Sequence, residues 1–375
     1  MATTELTFDA DHPVPDRYHP APSGELDAIG EVLADGRLAG GAPVVAVYEQ
    51  ALARWFRAAR AVAVNSGTSA LHATLTALNV KPGTEVLVPA IAPLPTAMPI
   101  LTCGATPVIV GTRPGSLALD PADVERKLTE RTRAAITLPL WGYPNDDHAA
   151  ATVLTEAGVP VVEDACQAHG TTMGGCYAGT RVAAGCFSTH DRKPLATGEG
   201  GFVLTNDPEL ADRIDFYTHL GHLRGRVHGV NYKLAAPLAA IGLRRLTRLR
   251  AQLDARRRNA QRILDRLPPD GLLHELPYRD GDRPNYYNLV LTATSRQREI
   301  AAALEALGLP PDSSRYRYRA LQQQPLFTEF ASACPNAEAL ATSTFQLPVH
   351  PNLSEATVEW VAAHVDAIAR GGTTP

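Results

Sequence analysis

Only four lysines stand among the 35 basic residues of this 375-residue chain: Lys81, Lys127, Lys193 and Lys233. Chemistry that needs a primary amine therefore has few candidates. Lys81 precedes Pro82-Gly83 in a turn, Lys127 sits in a polar helical pattern over 120–131, and Lys233 follows Tyr232 at the head of a helix. Lys193 differs. It lies in Ser188-Thr189-His190-Asp191-Arg192-Lys193-Pro194-Leu195-Ala196-Thr197-Gly198-Glu199-Gly200-Gly201, between two short apolar runs and among small and hydroxyl-bearing residues that could line a cofactor pocket. An amine in that setting suits Schiff-base chemistry. A solvated loop lysine is the alternative, and it leaves the Thr-Gly-Glu-Gly-Gly run without a purpose.

Two further segments carry groups that such an amine could work with. Asn65-Ser66-Gly67-Thr68-Ser69 joins an apolar run to a helical one. A strand–turn–helix junction presents unpaired N–H groups at the positive end of the helix dipole, Gly67 allows close approach, and Ser66 and Thr68 add hydroxyls. Taken alone, the same residues read equally as an ordinary helix cap. In Val161-Val162-Glu163-Asp164-Ala165-Cys166-Gln167-Ala168-His169-Gly170, Asp164 ends an apolar run, the place where α/β sheets bind ligands. It could face a metal, a ribose or a protonated heterocyclic nitrogen, with His169 as its partner or as a core histidine. A phosphate cradle, a carboxylate and an amine are together what pyridoxal phosphate requires of a protein.

These groups need a scaffold. Short apolar runs at 61–64, 85–88, 106–110, 134–138, 160–163, 185–188 and 201–205 alternate with helical patterns such as 69–78, where Leu71, Leu75 and Leu78 recur at helical spacing. The alternation predicts an α/β domain over 25–245 with a mostly parallel seven-stranded sheet, part of it antiparallel where the later runs crowd together. Helices are expected at 25–34 and 44–57, and a long one over 233–267 broken only by Pro237. A smaller α+β domain over 246–375 follows, with strands at 287–292 and 344–348 and helices at 296–307 and 354–369. Residues 1–24, rich in Pro, Asp and His, read as an N-terminal arm.

Composition narrows the class. The chain is 45% hydrophobic and 20% charged with a net charge of −4 and no basic block, so no nucleic-acid partner is expected. No apolar stretch has the length to span a bilayer, so no membrane partner is expected either. Five cysteines at unrelated spacings argue against a disulfide framework and for a reducing compartment, and the start lacks the apolar run of a signal peptide. A cytoplasmic enzyme is the expectation.

From about residue 25 to 370 the chain resembles the DegT-type family of pyridoxal-phosphate enzymes, sugar and aminocyclitol aminotransferases of the type I fold. The likeness rests on Ser66-Gly67-Thr68-Ser69-Ala70-Leu71, Gly104-Ala105-Thr106-Pro107-Val108 and Glu163 through Gly170, then Lys193 with Thr197-Gly198-Glu199-Gly200-Gly201. It continues in Gly229-Val230-Asn231-Tyr232-Lys233, Cys334-Pro335-Asn336-Ala337-Glu338 and Leu347-Pro348-Val349-His350-Pro351. The resemblance implies that Lys193 binds the cofactor and shuttles the proton, that Asp164 pairs with the pyridinium, and that Gln167 lies beside the ring. It implies a phosphate cradle of Gly67, Thr68 and Ser188, and an Asn231 that reaches the phosphate from the neighbouring subunit of a homodimer with shared sites.

Two departures stand out. Pro93 occupies the place where family members carry an aromatic residue or histidine on the cofactor face, and His190-Asp191-Arg192 replaces small residues before the lysine. The implied reaction moves an amino group from L-glutamate or L-glutamine to a keto-sugar, nucleotide-linked or free, or to a keto-cyclitol. Such a reaction belongs to secondary metabolism or surface-sugar synthesis. The alternatives are an epimerase, cyclase or dehydratase of the same fold, encouraged by Pro93 and His190, and a non-catalytic regulatory homologue. Retention of Lys193 counts against the dehydratase branch, and Lys193, Asp164 and Gln167 together count against the regulatory one. Arg315-Tyr316-Arg317-Tyr318-Arg319 could meet a phosphorylated acceptor or form a solvated face.

Overall fold

All seven apolar runs form strands, and all seven join one sheet. The computed structural model describes residues 14, 15, 18 and 23–372, so most of the expected arm over 1–24 lies outside the described residues. Helices α1 (Glu25–Asp35) and α2 (Pro43–Phe56) precede β1 (Arg60–Val64), α3 (Gly67–Ala77), β2 (Glu85–Pro89), α4 (Leu94–Thr102), β3 (Thr106–Val110), α5 (Pro121–Lys127), β4 (Thr132–Thr137), α6 (His148–Glu156) and β5 (Val161–Asp164). A small hairpin of β6 (Thr172–Met173) and β7 (Cys176–Tyr177) leads to β8 (Ala184–Ser188), β9 (Gly201–Thr205), α7 (Pro208–Thr218), α8 (Ala236–Leu246) and α9 (Leu249–Leu264). The remainder holds β10 (His274–Glu275), β11 (Leu289–Thr292), α10 (Gln297–Ala306), α11 (Asp312–Arg315), α12 (Pro335–Ser343), β12 (Thr344–Leu347) and α13 (Glu355–Ala369).

The large sheet runs β1-β9-β8-β5-β4-β2-β3, which puts β5 and its terminal Asp164 at the centre. Only β9 is antiparallel, and it pairs with both β1 and β8. The Lys193 loop joins β8 to β9 without a crossover helix, and a return without a crossover is antiparallel by geometry. Side-chain alternation sends each strand's residues to two layers. Val62 and Val64 face the cluster that contains Leu71 and Leu75 of α3, whereas Ala61 and Ala63 face Tyr48, Leu52 and Phe56 of α2. Helices thus cover both faces, which is why these strands read as continuous apolar runs.

Three expectations are corrected. The stretch over 233–267 is two helices, broken at Thr247-Arg248, and Pro237 lies in the first turn of α8, where its missing N–H is not needed. Lys127 is no surface lysine: its side chain is 16% exposed, and its ammonium donates to Ile109 O (2.5 Å), Asp123 Oδ2 (2.9 Å) and Ser332 Oγ (2.9 Å). Helix α3, for which the recurrence of Leu71, Leu75 and Leu78 marks a single apolar face, is buried on most sides, with Ser69, Ala70, Leu71, His72, Ala73 and Thr74 all enclosed. A second, antiparallel sheet of β10-β11-β12 forms the C-terminal part. The main apolar cluster runs unbroken from the large sheet into Leu289, Phe345 and Val361, so the two sheets share one core.

Candidate active site

Beyond the C-terminal end of β5 lies a cavity of ≈ 320 Å³, lined by Ser66, Gly67, Thr68, Asp164, Gln167, Ser188 and Lys193 among others. Segments remote in sequence meet here because parallel strands deliver their C-terminal ends to one edge. Asp164 is buried, and both its oxygens are occupied: Thr96 Oγ1 of α4 donates to Oδ2 (2.6 Å) and the Cys166 N–H to Oδ1 (3.1 Å). Glu163, one residue earlier and so on the opposite face of β5, accepts from Gly179 N (2.5 Å), and burial pushes its pKa up to about 8. Burial, with Asp164 close by, holds the Cys166 thiol far above its ordinary pKa.

The helix end facing Asp164 is capped in a specific way. Ser66 Oγ accepts from Ser69 N (3.0 Å) and Ser66 O from Ala70 N (3.0 Å), which leaves the first N–H groups of α3, those of Gly67 and Thr68, for a ligand. The Ser66 hydroxyl is therefore committed to the cap. A Cβ on Gly67 would fall 2.7 Å from Cys166 Sγ and 2.8 Å from Ser188 Cβ, so only glycine allows this approach. Ser188 Oγ accepts from His190 N (3.2 Å) at the rim.

The Lys193 loop is tied down from three directions. Its own strands close it through Thr197 N to Thr189 O (2.7 Å) and Lys193 N to His190 O (2.8 Å). Arg245 of α8 donates to Ala196 O (2.8 Å), and Gln252 of α9 donates to Pro194 O (2.8 Å). Gly198 (φ 100°) and Gly200 (φ 149°) of the Thr-Gly-Glu-Gly-Gly run both take positive φ, and a side chain at Gly200 would overlap Thr189 Oγ1 at 2.4 Å. Lys193 Nζ ends 5.0 Å from the centre of the Tyr287 ring.

A second cavity, ≈ 480 Å³, opens on the other side of Lys193. Lys193, Gln167, Pro93 and Pro95 line both spaces and form the wall between them. Gln167 Oε1 accepts from Trp141 N (2.6 Å), which leaves its amide NH₂ to donate. His190 lines the inner cavity with Nε2 3.8 Å from Glu199, Arg192 lines the outer cleft, and Asp191 lines neither. Of 315–319, all but Arg319 line the cleft. Asn231 is exposed and is not among the lining residues of either cavity. His169 is a core histidine, edge-on to Phe187 (5.2 Å) and Phe202 (6.0 Å). Burial, then Lys193 and Arg256, pull its pKa down to about 3, so it is neutral.

Sequence reasoning missed Thr96, Trp141, Tyr287 and Arg256. Thr96 had a signal, because Pro93-Leu94-Pro95 is a helix start that aims the first turn of α4 at the sheet edge. Trp141 had none: it is buried at φ 56°, in the left-handed region that a tryptophan rarely adopts.

The donor set fits pyridoxal 5′-phosphate. A helix N-terminus with two open N–H groups and a side-chain-free glycine suits a phosphate, a fixed carboxylate suits a ring nitrogen, and the amine stands opposite. Residues 22–366 match the family model described as DegT/DnrJ/EryC1/StrS aminotransferase family. The chain is 33% identical over 340 residues to a Streptomyces venezuelae dTDP-3-amino-3,4,6-trideoxy-alpha-D-glucose transaminase, covering 87% of each. It is 34% identical over 288 residues to the L-glutamine:2-deoxy-scyllo-inosose aminotransferase of Streptomyces fradiae, covering 71% of this chain and 66% of that one. The crystal structure of S. venezuelae DesV in complex with a ketimine intermediate superposes with a TM-score of 0.84 at 29% identity, over 92% of this chain and 94% of that one.

Proposed function

The chain belongs to the DegT/DnrJ/EryC1/StrS aminotransferase family, and from that membership we propose that it aminates a keto-sugar or keto-cyclitol with the amino group of L-glutamate or L-glutamine. The observation that carries this reading is the position of Lys193, the one amine on the wall between a cavity fitted to the cofactor and an open cleft. Bound here, pyridoxal 5′-phosphate would supply the aldehyde and the electron-poor ring on which amino transfer depends.

The chain's own residues do the rest. Gly67 and Thr68 N–H with Ser188 hold the phosphate, and the Ser66 cap keeps that helix end in place. Asp164 keeps the ring nitrogen protonated, and Thr96, fixed on its Oδ2, holds the carboxylate at one orientation. Gln167 would donate to the bound cofactor with its free amide, and Pro93 and Leu138, which line the same cavity, would exclude water from it. Lys193 Nζ takes the proton from the donor carbon in the first half-reaction and delivers one to the acceptor carbon in the second. Donor and acceptor use the same cleft in turn, so the kinetics are ping-pong. Relatives that act on a nucleotide-linked sugar and on a cyclitol support a polyhydroxylated acceptor.

The reading includes a homodimer in which the partner's Asn231 completes each phosphate site, in keeping with the exposure of Asn231 outside its own cavities and of Leu223 (82%) and Val227 (58%) just before it. It places the enzyme in the cytoplasm, where five free thiols persist, and divides the chain at 245/246, next to the α8–α9 corner. The test is the donor half-reaction. L-Glutamate or L-glutamine added to the holoenzyme shifts its absorbance to the shorter-wavelength band of the aminated cofactor. If neither does so while another substrate exchanges a proton with solvent, the protein is an epimerase or cyclase. Mixing Asn231→Ala with Lys193→Ala subunits restores part of the activity; no recovery despite exchange removes Asn231 from the partner's site.

A further inference from the structure

Arg256 is the buried guanidinium of the cleft, 2% exposed. No aspartate or glutamate among the described residues lies within ion-pair distance of it. Its Nη1 donates to the backbone carbonyls of Tyr286 (3.3 Å) and Tyr287 (3.0 Å), the ring of Tyr18 stacks over it at 5.7 Å, and its Nε has no partner. A charge in this position is costly. Two carbonyls and the face of the Tyr18 ring replace part of its hydration, but no carboxylate neutralises it, and burial accordingly lowers its pKa to about 10, still fully protonated at neutral pH. If Arg256 served only to hold the 286–287 backbone, a neutral donor would do so without that penalty.

The other cations of the cleft differ. Arg192 lies over the Tyr316 ring (5.0 Å) near the mouth and donates to its hydroxyl, and Arg317 is exposed. The acidic residue of the cleft, Asp312, accepts from Trp141 Nε1 (2.8 Å). Arg256 stands at the floor with the reacting amine. Lys193 Nζ faces the ring of Tyr287 while Arg256 holds the carbonyl of the same residue, and both cations act on His169.

We propose that Arg256 binds the α-carboxylate of the amino donor. The proposal rests on the aminotransferase reading above and names the chemistry by which donors are recognised. The carbon that gives up the amino group must come to Lys193, and the α-carboxylate is one bond from that carbon, so its anchor belongs beside the amine. The phosphates of a nucleotide sugar are separated from the reacting carbon by a sugar ring and belong farther out, toward Arg192 and Tyr316. A carboxylate that meets the guanidinium from the cleft forms a charge-assisted contact and supplies the negative charge this buried cation lacks. When the keto acceptor replaces the donor, the site returns to the carbonyl-only state, which favours release of the keto acid formed and accommodates an acceptor without a carboxylate at that point.

The experiment uses the holoenzyme and compares L-glutamate and L-glutamine with the same amino acids carrying an α-amide in place of the α-carboxylate. The readout is the concentration that half-saturates conversion of the cofactor band. Wild type discriminates against the amides by about 100-fold, the order expected for a buried charge left unpaired. Arg256→Gln loses most of that discrimination by binding the carboxylate forms more weakly, and Arg256→Lys recovers part of it. Both keep the resting cofactor band and its affinity. Equal discrimination in wild type and Arg256→Gln overturns the proposal, as does a wild type that accepts amide and carboxylate alike, a measurement that needs no variant. Weaker cofactor binding in both variants, with discrimination at saturating cofactor equal to that of wild type, overturns the proposal and assigns Arg256 a structural role only. If no donor aminates the wild-type cofactor at all, the failure lies in the aminotransferase reading and not in Arg256.

Discussion

The cavity on one side of Lys193 and the cleft on the other are built by different means. The inner cavity stands on regular structure: the ends of β5 and β8, the N-terminus of α3 and a loop fixed by hydrogen bonds from α8 and α9. The outer cleft is assembled from pieces far apart in the chain, including Tyr18, Trp141, Arg256, Tyr287 and the turn over 312–318. Two of its lining residues hold unusual backbone, Trp141 at φ 56° and Arg317 at φ 52°. A cofactor that stays the same needs a rigid seat, and strand ends provide one. A substrate that varies is met by loops, which can change without disturbing the sheet.

The sharpest test of that division is the residue that belongs to both sides. Lys193→Ala removes the amine from the wall and lowers turnover by about 10⁴-fold or more, since cofactor attachment and proton transfer are lost together. Borohydride reduction and peptide mapping check the assignment, and a label on Lys81, Lys127 or Lys233 breaks it. Asp164→Asn confines the damage to the inner cavity. The amide still fits beside Thr96 and Cys166, so the cofactor stays bound, but a neutral group cannot keep the ring nitrogen charged, and turnover falls by roughly 10²–10³-fold for every acceptor alike. A loss that depends on the acceptor would show that the two sides are not separate.

The same division governs what could be read before the fold was known. Every strand of the large sheet was legible because both its faces are buried, which leaves an unmistakable apolar run; Gly67 and Asp164 were legible because each sits close to the end of such a run, and Lys193 because it alone of four lysines lies among small and hydroxyl-bearing residues between two runs. The helix break at Thr247-Arg248 was not, because Pro237 offered a stronger local signal that the first turn of α8 simply absorbs. Arg256 was hidden among neighbouring arginines in α9. Nothing in Arg256-Arg257-Arg258 distinguishes the buried member from Arg257, which pairs with Asp254 (3.1 Å), until the helix is docked. Thr96 depends on contact across the sheet edge, which no local pattern encodes.

Gly67→Ala probes the fit of the inner seat with a single carbon. The new methyl has to displace Cys166 Sγ or Ser188 Cβ, both under 3 Å from its ideal position, and Ser188 belongs to a buried strand. Overpacking of this kind costs about 1–3 kcal/mol. Cofactor affinity should drop by about tenfold and the holoenzyme's Tm should fall, with substrate preference unchanged. A drop in acceptor affinity at full cofactor occupancy would place this glycine in the cleft instead.

The smallest expected effect belongs to the mouth of the cleft. Arg192 lies over the Tyr316 ring and donates to its hydroxyl; Tyr316 is exposed and Arg192 is half-buried. An exposed contact of this type contributes about 0.5–1 kcal/mol. The pair bridges the Lys193 loop and the turn after α11, so it sets the width of the entrance through which an acceptor's far end must pass. Arg192→Ala and Tyr316→Ala should each raise the acceptor's half-saturation by a few-fold and leave the donor half-reaction untouched, because the donor is short and reacts at the floor. The double variant should lose less than the two single effects summed, with a coupling of about 0.5–1 kcal/mol. Strict additivity would mean that the two residues meet the acceptor independently, as separate contacts and not as one gate. An equal effect on donor and acceptor would bring the mouth and the floor under one control and dissolve the distinction between a fixed seat and an adaptable entrance.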